Sequence, residues 1–190
     1  AGNGARTVEA DLTGPLAAAR LAGMITSSSY KSGLTRAVIT GATELIGELT
    51  DSEYGDANEN GLLTFSYNPD GMVQVERGIN TLVSLGPDED AGWKKIRRVK
   101  IRYRLIEEVS YKIDQKLRQD IDNSRDMRAF ICQLGDSTIL EMVRDGALQS
   151  GQMIEDQDRP AQGDSAWFVF QNMVDLDSLE KVYNTMEFQY

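Results

Sequence analysis

From Trp93 to about Asp122 the apolar residues Val99, Tyr103, Ile106, Ile113 and Leu117 recur at three- and four-residue spacing, which predicts a long amphipathic helix at about 94–122 with Ser110 the only gap in its stripe. A second stripe, Met127, Ile131, Leu134, Thr138 and Met142, predicts another helix at about 125–148, capped by Asn123 or Ser124 and ended near Gly146. Upstream, Thr13 is a candidate hydroxyl cap before Pro15, and the small-residue run that follows predicts a helix to about Thr26. The period changes to two in LLTFSY and MVQVERG, and Asn68-Pro69-Asp70-Gly71 between them has the residues a tight turn needs, so a β-hairpin is expected. Weaker patterns predict a short strand at 35–40, a helix over 43–49 or 43–54 interrupted by Gly47, and strands at 79–85, 166–174 and 182–188. Residues 149–165, polar and punctuated by Gly151, Pro160 and Gly163, read as a surface connection.

These elements give an α+β fold, with the two long helices packed on a small mixed sheet made from 79–85, 166–174 and 182–188. At 190 residues and 41% apolar content, the chain is long enough for one domain, or one domain and part of another. No apolar run approaches the ~18 residues of a membrane span, and the first residues lack a signal-peptide layout, so assembly in the cytoplasm is the expectation. Ala1 stands in a Gly-rich stretch with the character of mid-domain sequence, and a fragment is expected on that ground.

Charge changes the picture more than composition does. The net charge of −10 conceals the segment WKKIRRVKIRYR at 93–104, where Lys94, Lys95, Arg97, Arg98, Lys100, Arg102 and Arg104 occur with no acid. The other 13 basic residues face 30 acids, a balance of −17, so an acidic body carries one basic stripe. Such a stripe is often only a solvated helix face. Yet like charges at i,i+4 repel, and a negative partner surface would relieve them. Nucleic acid is disfavoured as that partner, because the acidic body opposes phosphate and only Trp93 and Tyr103 offer rings for stacking.

Candidate chemistry is sparse. With no histidine, imidazole cannot activate a hydroxyl or thiol within this chain, and the single Cys132 reads as a small core residue. Asp56, Asn58, Asn60 and Gly61 match the first half of a calcium loop, but Tyr67 stands where a bidentate Glu is required. Asp51, Glu53, Asp56 and Glu59 leave carboxylate chemistry open, and a hydrolase of that kind would need a cleft lined by Asp51, Asp56 and Glu59. The glycines between Gly2 and Gly4 lack the lysine of a phosphate loop. No catalytic residue, metal ligand or cofactor is therefore assigned.

Four pieces in order carry a family resemblance: AAARLAGMI at 17–25, GLLTFSYNPDGMVQVERGINTL at 61–82, the basic helix with Arg97-Arg98, and DSLEKVYNTMEFQ at 177–189. Together they resemble the contractile-tail sheath proteins of phages, defective prophages and phage-tail-like bacteriocins. The resemblance implies that residues 1–78 are the end of the family's larger α/β domain and 79–190 its C-terminal domain next to the tail tube. It also implies a structural role without enzymatic activity, in a helical homo-oligomer located in a virion or particle tail. The implied partners are other copies of the chain, the tail tube protein, and baseplate and tail terminator proteins, with no membrane. Two roles follow from it. Lys94, Lys95, Arg97, Arg98, Lys100, Arg102 and Arg104 would touch the tube. Val182, Tyr183, Asn184, Thr185, Met186, Glu187, Phe188, Gln189 and Tyr190 would form a strand donated to a sheet of a neighbouring subunit.

Overall fold

In the computed structural model, which describes residues 3–87 and 89–186, the hairpin forms around Asn68 as its turn residues require. Asn68 Oδ1 accepts the N–H groups of Asp70 at 3.0 Å and Met72 at 2.8 Å, and Gly71 supplies a φ of 78°. The chain divides into two compact units. One holds the chain up to Ser28, Gly33–Arg97 and the chain from Asp177 on, and the other holds Ser29–Ser32 and Arg98–Leu176.

In the first unit, β1 (Gly4–Thr7) lies between β2 (Asp11–Leu12) and β3 (Ala42–Ile46), both antiparallel to it. Helix α1 (Gly14–Ser27) follows Thr13 with Pro15 in its first turn. Helix α2 (Asp51–Glu59) is opened by a capping box between Thr50 and Glu53. The hairpin strands β4 (Phe65–Tyr67) and β5 (Val73–Val75) pair Phe65 with Val75 and Tyr67 with Val73. Phe65, Val73 and Val75 pack with Ala5, Ala17, Leu34, Ile39 and Ile96 in this unit's core. Gly78 lets two backbones meet, since a Cβ there would lie 2.9 Å from the nitrogens of Leu34 and Thr35.

In the second unit run most of α3 (Ile96–Leu117), all of α4 (Arg125–Arg144), and the antiparallel pair β6 (Leu148–Glu155) and β7 (Phe168–Asp175). The predicted α4 stripe points inward, but the predicted α3 stripe does not: Tyr103, Ile106 and Leu117 are exposed, and the buried face of α3 is a neighbouring row. Ile101, Leu105 and Val109 of α3 meet Ile131, Ile139 and Met142 of α4, with Leu148 and Met153 of β6 completing the core. Ser124 caps α4 by accepting the Met127 N–H at 3.2 Å. Among the described residues no helix is long and apolar enough to cross a membrane.

The α+β class holds, although the paired strands are antiparallel throughout. Several local expectations are corrected. The predicted helix over 43–54 is instead β3 followed by α2, because Gly47 at φ 73° breaks the chain and the Thr50 cap starts a helix afresh. The strand at 35–40 is reduced to one bridge, Val38 to Gln74, with Arg36 at φ 61° spoiling a longer ladder. No strand forms at 79–85: Ile79 makes a single bridge with Lys95, and Asn80 gives its N–H to the Lys94 carbonyl at 2.9 Å. The supposed connection at 149–165 begins with the rest of β6, whose small polar residues are drawn into pairing by the apolar β7. The strand at 182–188 is absent over 182–186, and Glu187 and Phe188 lie outside the described residues. Both long helices end a few residues early, α3 at Leu117 and α4 at Arg144.

Candidate assembly site

The basic segment starts α3, where cations oppose the helix dipole and the first turn has no acid to offset them. Such an arrangement needs acids from elsewhere. Arg98 and Arg102, spaced i,i+4, share one helix face and both reach Asp175, the last residue of β7. Arg98 Nε lies 2.9 Å and Arg102 Nε 3.0 Å from Asp175 Oδ2. The Asp175 side chain is only 7% exposed. Burial pushes its pKa up, but the hydrogen bonds and charges of the two guanidinium groups outweigh that and leave it below the ordinary value.

The remaining cations are also engaged. Lys95 Nζ pairs with Glu180 and lies 3.8 Å from Asp177 Oδ2, and Arg97 Nη1 donates to Ser178 Oγ at 3.0 Å. Lys94 and Lys100 donate to the carbonyls of Val83, at 3.3 Å, and Ser29, at 2.9 Å. Arg104 pairs along its own helix with Glu107 and Glu108. Much of the negative charge that the bare sequence asks of a partner is therefore provided by the chain itself. Asp175, Asp177 and Glu180 were the residues the sequence reading missed, and the signal was the acidic run DLDSLE, complementary to WKKIRRVKIRYR.

Past Glu180 the exposure becomes continuous among the described residues. Lys181 to Met186 are all exposed, with Val182 at 67%, Tyr183 at 87% and Met186 at 77%. Of the predicted donated strand, Val182, Tyr183, Asn184, Thr185 and Met186 are thus unpaired among the described residues. Glu187, Phe188, Gln189 and Tyr190 lie outside them.

The pair β6–β7 is a sheet of two strands among the described residues, and two strands alone are marginal. Its edges differ. The Asp156 N–H bonds to the Trp167 carbonyl, so by alternation the N–H of Met153 points away from β7, where Asp136 Oδ1 of α4 accepts it at 2.7 Å. A helix side chain thus occupies the β6 edge. By the same alternation Phe168 and Phe170 direct their N–H groups to the outer side of β7, an edge that pairs with no strand among the described residues.

The acids considered for hydrolysis are not gathered. Asp51, Glu53, Asp56 and Glu59 lie on α2 and all four are exposed. Glu53 and Asp56 border an open hollow of about 570 Å³, but Asp51 and Glu59 do not line it. Glu53 is held below the ordinary carboxylate value by hydrogen bonds from the Thr50 backbone and side chain, as a capping residue would be. Asp56, Asn58 and Asn60 sit on α2 and its cap, not in a loop, and Asn60 Nδ2 donates to the Asp56 carbonyl at 2.8 Å. No group of three or more metal-ligating acids or thiols occurs among the described residues. Burial raises the pKa of the half-buried Cys132 thiol, with Glu155 and Asp136 adding to it.

Comparison with known proteins bears on what such an arrangement is for. Residues 2–81 match the family model described as the phage tail sheath protein central domain. The chain is similar to phage tail sheath proteins. No curated protein sequence matches it. Among solved structures, a sheath tail protein of Listeria innocua superposes with a TM-score of 0.69 at 18% identity, covering 93% of this chain and 45% of its own. One from Desulfitobacterium hafniense gives 0.69 at 18%, covering 92% and 44%. The anti-feeding prophage baseplate structure gives 0.76 at 11% identity, over 99% of this chain and 53% of that one, and the contracted helical sheath of the same prophage gives 0.64 at 14%, over 98% and 54%. The chain spans about half the length of the solved structures it matches, and it shares their fold.

Proposed function

We propose that this chain is part of a structural subunit of a contractile tail sheath. Copies polymerise around a tail tube and contract to drive the tube through a cell envelope. The observation that carries this is the exposed segment 181–186, which presents Val182, Tyr183 and Met186 to solvent while the β7 edge pairs with no strand among the described residues. Adding that segment to the β7 edge of another copy would satisfy backbone groups on both and bury the apolar side chains. The sheath match at residues 2–81 and the sheath fold over most of the chain support the same role.

In this reading the subunit is not an enzyme. Residues 1–78 are the end of the larger sheath domain and 79–190 the tube-proximal one, a boundary close to the end of the family match. The partners are further copies, the tube, the baseplate and a tail terminator, in a particle tail assembled inside the host bacterium. Tube contact would fall to the cations of 94–104, Lys94 first, because Lys95, Arg98, Arg102 and Arg104 already hold acids. Contraction requires two lattices of subunit contacts that differ in free energy. Electron microscopy of the full-length protein tests this: regularly striated tubes are expected, and a protein that stays monomeric at all concentrations and salts contradicts it. Pelleting with the tube and gel shift with DNA separate this role from nucleic-acid binding, since only the first is expected.

A further inference from the structure

Resting on the sheath reading, we infer that residues 177–180 are a fixed anchor for the terminal arm, and that the part free to reach another subunit starts at Lys181. The cations at the start of α3 that meet this segment, Lys95 and Arg97, are then positioning residues for the arm instead of contacts to a partner surface.

The geometry is concentrated on one side chain. Glu180 is 16% exposed and paired with Lys95, and its Oε1 accepts from Thr35 Oγ1 at 2.8 Å. Its main-chain carbonyl accepts from Arg36 Nη2 at 3.1 Å. Two residues earlier, Ser178 Oγ takes the Arg97 guanidinium, and before it Asp177 stands within 3.8 Å of Lys95. Residues at 35–36, 95–97 and 177–180 are thus tied together within one compact unit. Thr35 is itself fixed, because its hydroxyl accepts the Gly78 N–H at 2.9 Å and Gly78 has no side chain to push the backbones apart. Burial alone would raise the Glu180 pKa, but the hydrogen bonds from Lys95 and Thr35, with the charges of Lys95 and Arg77, leave it below the ordinary value.

This placement has a mechanical meaning. When a tethered strand is pulled from its far end, tension reaches the attachment nearest that end first, which here is Glu180. Charge-assisted hydrogen bonds directed along several axes resist displacement better than nonspecific apolar contact, which can slide. Four residues from 177 therefore fix where the arm leaves the body, while the residues after them stay available.

Nitroxide labels read the boundary directly in the full-length protein, with Cys132→Ala removing the native thiol and dilution keeping it unassembled. One label goes on Leu179→Cys, whose native side chain is exposed, and another on Tyr183→Cys. The label at 179 is expected to reorient several-fold more slowly than the label at 183. Glu180→Gln is expected to release it to the mobility of 183, Lys95→Met to do so in part, and Lys95→Arg to preserve the restraint. Equal mobility at 179 and 183 in the otherwise unchanged protein, or an unaltered 179 label in both Glu180→Gln and Lys95→Met, overturns the anchor. Polymerisation of the unlabelled protein is scored separately. A chain that shows the mobility step but never polymerises refutes the sheath reading and leaves the anchor standing.

Discussion

Two neighbouring stretches at the end of the chain are treated in opposite ways. From Asp177 to Glu180 the polar side chains are held by Lys95, Arg97 and Thr35, whereas Val182, Tyr183 and Met186, a few residues on, face solvent. Burial usually sorts residues the other way, with charge outside and apolar groups inside. Here the charged stretch is the fixed one and the alternating apolar stretch is left over. On the proposed reading the second stretch is completed by another copy, since exposed apolar clusters mark interaction surfaces.

Removing residues 181–190 should break the comparison most severely. Polymer formation is expected to vanish in pelleting assays while the thermal midpoint of the unassembled protein moves by no more than about 2 °C, as for an end that contributes little to its own fold. Polymers of unchanged yield would show that the bare stretch is not the tether. Asp175→Ala should come next, because it leaves Arg98 and Arg102 close together at a helix start without their acid. A loss of about 3 kcal/mol is expected from urea titration, the scale of breaking a largely buried ion pair.

Acid should act through the same carboxylates. Asp175 and Glu180 have pKa values lowered by folding, so their contribution is complete above the ordinary carboxylate pKa and is lost as pH falls through their depressed folded values. Stability measured on descending pH should therefore decline in Asp175→Asn less steeply than in the unchanged protein. A smaller effect is expected from Glu180→Gln, about 1 kcal/mol of stability, since one charged hydrogen-bond partner is weakened and not removed. Least of all, Tyr183→Ala should change the unassembled protein by less than about 0.5 kcal/mol, yet lower polymer yield.

What the sequence made legible followed from strong local signals. The spacing over 99–117 and 127–142 gave both long helices, and Asn68 to Gly71 gave the hairpin, but only on the second helix did the stripe mark the buried face: on the first, Tyr103, Ile106 and Leu117 are exposed while Ile101, Leu105 and Val109 are buried. What stayed hidden depended on distant partners. Nothing local in LQSGQMIE marks a strand, because its pairing is imposed by the apolar β7 and its packing by α4, where a Cβ on Gly135 would meet Met153 Cβ at 2.7 Å. The residues 79–85 look like a strand by apolar content but find no ladder beyond Lys95. The basic segment was visible as a charge anomaly, while its partners Asp175, Asp177 and Glu180 lie over seventy residues further along the chain, beyond any helical spacing rule.

The most direct test is a cryo-EM reconstruction of the assembled polymer at a resolution that traces side chains. Residues from Val182 onward should appear as a strand alongside Phe168–Asp175 of a different copy, with Glu180 still seated on Lys95 of its own. Density showing that same stretch paired within the copy it belongs to, with the β7 edge bare between subunits, would contradict the account.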